Sequence, residues 1–94
     1  MTLPETTLSV TADHHLRLGE APRGFVGTIV ALHPDGAGPT PHELEQYLLE
    51  MGFTEGARVE ILHQGAIKRD PIAVRVDNIT IAVRRREAMA VLVK

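Results

Sequence analysis

The side chains best suited to hold a transition metal in this chain of 94 residues are its five histidines, at positions 14, 15, 33, 42 and 63. Cysteine is absent, so disulfides, thiolate metal sites and thiol nucleophiles are excluded. His33 and His42 flank one loop, with Glu43 and Glu45 close behind. Imidazole combined with carboxylate suits ferrous iron when the geometry converges. Each of the two also has an ordinary explanation, His33 as a strand end and His42 as a first-turn helix residue. His14 and His15 adjoin Asp13, but neighbours on an extended chain point to opposite sides. His63 is expected to be a half-buried strand residue. His33 and His42 are therefore the weak metal candidates, and no cofactor is expected.

The densest charge is Arg84-Arg85-Arg86. Its plain reading is a solvated turn with Arg84 as the structural member. Its functional reading is an anchor for an acidic partner, since guanidinium groups donate planar, bidentate hydrogen bonds to carboxylates. No nucleophile has a visible base and orienter, and no Gly-x-x-x-x-Gly-Lys phosphate loop is present. Gly36-Ala37-Gly38 is loop flexibility. The chain is not expected to be an enzyme.

Ninety-four residues suffice for one domain, which at this size buries roughly 60 to 65% of the surface its unfolded chain exposes. Phe25, Tyr47 and Phe53 are the aromatics, so Val, Ile, Leu and Ala must fill the core. Met1 to Tyr47 holds two Arg against six acids, and Leu48 to Lys94 eight Lys or Arg against six. That asymmetry is too mild for nucleic acid, whose binding neutralises many phosphates. No apolar run approaches the ~20 residues that cross a bilayer, and the start lacks a secretory signal. A cytoplasmic protein without membrane insertion is expected.

Residues 1–15 are expected to form a tail or an accessory strand, with a β-prone patch at Thr7 to Thr11, and residues 16–94 the domain. Phe25 to Leu32 is the first strand, after a turn at Ala21 to Gly24, with Gly24 and Gly27 suited to a bend or bulge. The Gly- and Pro-rich His33 to Pro39 is a loop. Thr40 as N-cap, Pro41 as first helical residue and Glu43 as third make a capping box. Leu44, Tyr47, Leu48 and Met51 then line one stripe of a helix that Gly52 stops and Phe53 folds back upon.

Gly56 supplies a turn into a second strand at Val59 to His63, with Ile61 and His63 on the face of Val59. Ile72, Val74 and Val76 share one face of a third strand, Asp77-Asn78 form a two-residue hairpin turn, and Ile79 to Val83 is a fourth strand. Arg84 to Ala88 is a helical turn, and Val91 to Val93 a fifth strand. The expected fold is mainly β: a small SH3-like, partly open barrel of about five strands with one α-helix between the first and second.

These blocks resemble the family of ferrous iron transport protein A, FeoA. The resemblance rests on Leu18 through Gly24, Gly27 and Ile29, on Leu48-x-x-Met51-Gly52-Phe53-x-x-Gly56-x-x-Val59, and on Asp70-Pro71-Ile72-x-Val74-x-Val76. Ile81-Ala82-Val83-Arg84, Glu87-Ala88 and Val91-x-Val93 continue it. It implies a regulatory accessory of bacterial ferrous iron uptake that acts by protein–protein interaction with the cytoplasmic G domain of the FeoB transporter. Members commonly place Arg before the Leu of the helix block, where this chain has Tyr47, and its Gly-Pro loop is longer than usual. Tyr47, Arg85 and Arg86 are the expected partner-facing residues. The alternatives are a metal-binding or metal-sensing protein using the loop histidines, and a self-associating module that forms a weak homo-oligomer through an unpaired barrel edge or the Thr7 to Thr11 patch.

Overall fold

A computed structural model describes residues 16–34 and 41–94. The Thr7 to Thr11 patch, His14, His15, the Gly36 to Gly38 loop and the N-cap expected at Thr40 lie outside these residues. In chain order the elements are β1 (Leu16–Arg17), a 3₁₀ turn (Leu18–Glu20), β2 (Val26–Leu32), α1 (Pro41–Glu50) and β3 (Arg58–Gln64). Then come β4 (Ile72–Val76), β5 (Ile79–Val83), α2 (Arg85–Ala88) and β6 (Val91–Val93). All strand pairs are antiparallel, in the order β1-β6-β2-β3-β4-β5. The sheet is six-stranded rather than five-stranded. The added strand, β1, is two residues long, too short to show a period, and exists because Leu16 and Arg17 pair with Val93 and Leu92.

β2 serves two neighbours. Residues 26–28 pair with β3 and residues 29–32 with β6, with a register shift between Ile29 and Ala31. The register irregularity thus falls after Ile29 and not at Gly27, while Gly24, at φ 93°, makes the turn before the strand. A second shift in β3 moves from Ile61 opposite Val74 to His63 opposite Ala73, leaving Leu62 extra. One inserted residue turns every later side chain to the other face. His63 is therefore exposed rather than half-buried.

The core is wholly apolar, with no buried polar or charged residue among those described. Leu44 and Leu48 carry α1 into it beside Phe53, Ile61, Ile72 and Val74. Helix α1 ends as a Schellman motif. The Phe53 amide donates to Leu48 O (3.0 Å) and that of Gly52 to Leu49 O (3.0 Å). Gly52 sits at φ 102°, where a side chain would be strained, and Phe53 packs down fully buried.

The β4–β5 hairpin has a two-residue loop, since Val76 pairs with Ile79. Asp77 takes the positive φ, 56°. Its Oδ1 accepts from the Arg58 amide (3.0 Å), and its own amide donates to Arg58 O (2.8 Å). Asp77→Ala removes the side-chain acceptor and keeps the left-handed strain, so it is expected to cost about 2 kcal/mol. Asp77→Asn keeps both features and is expected to shift the urea midpoint little.

Candidate functional site

Helix α1 presents Tyr47 toward solvent from the flank of its apolar stripe, where the residue is 39% exposed. The ring lines a groove with a volume of about 270 Å³, together with Pro71 at the start of β4, Ala82 and Val83 at the end of β5, and Arg84 and Glu87. The groove continues along α1 past Glu43 and Leu44. Glu87 is held in place because its Oε1 accepts the Arg84 amide (3.2 Å), which caps α2. The walls are thus aromatic and aliphatic with one base and two acids at the rim. That chemistry accommodates a protein side chain, and no nucleophile faces a positioned base within it.

The three arginines divide differently from the sequence expectation. Arg85, not Arg84, is the structural member. Its Nε donates to Arg69 O (2.7 Å), one terminal nitrogen to Gly19 O (3.1 Å) and Ala21 O (2.8 Å), and the other to Gln64 Oε1 (3.0 Å). Its amide donates to Asp70 Oδ1 (2.8 Å). The guanidinium clasps the 3₁₀ turn, the β3–β4 loop and α2 together, so it is not available as an outward anchor. Arg84 and Arg86 are the exposed members. Nothing in three consecutive arginines distinguishes the inward one; its direction follows from α2 packing on the 3₁₀ turn. Pro71, Ala82 and Glu87 also escaped the sequence reading, because the groove joins segments far apart in the chain.

His33 and His42 are both exposed. The His33 amide donates to Ala90 O (2.6 Å), which ties the end of β2 to the turn before β6. His42 is the second residue of α1. Among the described residues, no three or more His, Asp or Glu side chains gather to hold a metal ion. None of the described helices is long and apolar enough to cross a membrane.

An antiparallel sheet shared across a bent β2, one helix packed through its leucines, and an exposed groove beside that helix define a small SH3-like domain. The family model for the FeoA domain matches residues 16–94. The chain belongs to the FeoA family, which is implicated in ferrous iron transport. It resembles the crystal structure of an iron uptake regulatory FeoA protein, at 27% identity over 86% of this chain and 97% of that one, with a TM-score of 0.69. It also resembles FeoA of Stenotrophomonas maltophilia, a prokaryotic SH3 domain protein crystallised with zinc (25% identity, 84% and 89% of the chains, TM-score 0.68). A manganese-dependent transcriptional repressor shares the fold over 40% of its own length, at 20% identity and a TM-score of 0.68. Comparison with curated proteins gives no match.

Proposed function

We propose that this protein is a non-enzymatic cytoplasmic accessory of bacterial ferrous iron uptake. It acts by docking its 16–94 domain onto the G-protein domain of the FeoB membrane transporter. The observation that carries the reading is the groove of Tyr47, Pro71, Ala82, Val83, Arg84 and Glu87 in a member of the FeoA family. Aromatic and arginine side chains are enriched at interface centres, and a Tyr that is apolar at its body and polar at its tip anchors contacts at low entropic cost. Arg84 on the groove and Arg86 beside it supply charge for an acidic partner surface.

Calorimetric titration of the FeoB G domain, without nucleotide and with GDP or a GTP analogue, tests this. Binding is expected in at least one state. Tyr47→Ala is expected to weaken it about thirtyfold, the size of a hot-spot loss of about 2 kcal/mol, without a change in melting temperature. Arg86→Glu is expected to slow association and reduce its salt dependence. Absence of binding in every nucleotide state overturns the proposal.

A further inference from the structure

The strand β5 lies at the outer edge of the sheet, yet its sequence, Ile79-Thr80-Ile81-Ala82-Val83, lacks the charge and proline that commonly protect an edge from pairing with a second strand. Ile79 is 59% exposed. Helix α1 approaches the far end of β5, where Tyr47 shares the groove with Ala82 and Val83.

The hydrogen-bonding polarity of this edge follows from the hairpin. In a two-residue hairpin the residues flanking the turn, Val76 and Ile79, bond each other, and the pattern alternates from there. Ile79, Ile81 and Val83 turn their backbone groups toward β4, while Thr80 and Ala82 turn theirs outward. Two observations agree with this alternation. The Asp77 amide bonds Arg58 of β3, on the side away from β5, and the Arg84 amide, next in the outward series, is taken by Glu87. The free edge is therefore two residues long, stopped by the turn at Asn78 and by the α2 cap at Arg84.

We infer that a second copy of this chain pairs antiparallel along β5, about a two-fold axis through Ile81. In that register Thr80 of each copy faces Ala82 of the other, and all four outward groups on each copy are satisfied by four hydrogen bonds. A shift of two residues leaves one outward residue facing the turn at Asn78 or the backbone of Arg84, whose amide and carbonyl are already bonded. Charge complements the same register, because Arg84 of each copy meets the Asp77–Asn78 turn of the other. The exposed Ile79 gains Val83 of the second copy as its neighbour on the same face. Arg75, which faces Thr80 on β4, then has uncharged Ala82 of the second copy beyond it. A contact of one short strand is smaller than the roughly 1,200 Å² of standard interfaces, so association is weak and fills at about 0.1–1 mM.

Sedimentation equilibrium of the isolated chain tests this without the transporter, so its outcome is separate from that of docking. The average mass is expected to rise from monomer toward dimer as concentration reaches about 1 mM. Thr80→Pro removes an outward amide that the fold does not use, and Ile79→Lys adds a charge at an exposed site. Both are expected to leave the melting temperature near wild type and the chain monomeric. Because the chain has no cysteine, Ile81→Cys is expected to form an intermolecular disulfide under mild oxidation, since facing strand residues stand within disulfide reach. Two Ile79→Cys residues are expected not to join, because the register separates them by about 13 Å along the strand. A monomer at every concentration, a dimer that survives both substitutions, or equal cross-linking at 79 and 81 overturns the inference.

Discussion

Arg85→Ala is expected to lower the melting temperature by about 15 °C, corresponding to a loss of about 3 kcal/mol in a domain of this size. One guanidinium serves acceptors at Gly19, Ala21, Gln64 and Arg69, from the 3₁₀ turn to the β3–β4 loop. Each hydrogen bond from a charged donor contributes about 1.5–3 kcal/mol when sheltered. The site is only partly buried, and water replaces some of what is lost, so the total stays well under the sum. Arg85→Lys keeps the charge but lacks the planar fork, and is expected to recover a minor part of the loss. Gln64→Ala removes one acceptor and is expected to cost about 1 kcal/mol or less. A thermal or urea unfolding series ranks the three. Equal effects of Arg85→Ala and Gln64→Ala would show that the clasp does not hold the three segments.

Gly19→Ala is expected to destabilise by about 3 kcal/mol or more, as overpacking against immovable backbone does. A methyl group at position 19 would run into Arg85 O, and would stand 2.8 Å from Met89 Sδ and 2.9 Å from the Met89 amide nitrogen. Met89 Sδ can swing away, but the Arg85 carbonyl and Met89 amide belong to α2 and its end. The helix must lift from the 3₁₀ turn, carrying the Arg85 guanidinium away from Gly19 O. Both substitutions therefore act on one junction, and the double variant is expected to cost less than the two added together. Gly24→Ala provides the contrast. Gly24 sits at φ 93° but has open space around the added methyl, so its cost is the dihedral strain alone, about 1–2 kcal/mol. Comparable losses at 19 and 24 would contradict the steric account.

Much of this architecture was legible in the sequence because it is written locally. The Leu48 to Gly56 segment ends its helix through residues adjacent in the chain, and Asp77-Asn78 with alternating Val and Ile makes a hairpin without outside help. What was not legible depends on partners distant in sequence. β1 has no pattern of its own and exists through β6. His63 changes face because the extra residue at Leu62 is set by pairing with β4, which no local alternation reveals. Arg85 turns inward because α2 packs on the 3₁₀ turn some 66 residues earlier in the chain, whereas three identical neighbours look interchangeable in a sequence. The groove was half legible. Tyr47 could be singled out, but Pro71, Ala82 and Glu87 join it only when β4, β5 and α2 converge beside α1.

The most direct measurement of the docking proposal is residue-resolved NMR of the labelled chain titrated with the FeoB G domain in each nucleotide state. The amides of Tyr47, Ala82, Val83, Arg84 and Glu87 are expected to shift together and saturably in at least one state, while the outer residues of β3 stay still. Perturbations confined to another face, or none in any nucleotide state, would contradict the groove as the surface through which this FeoA protein acts.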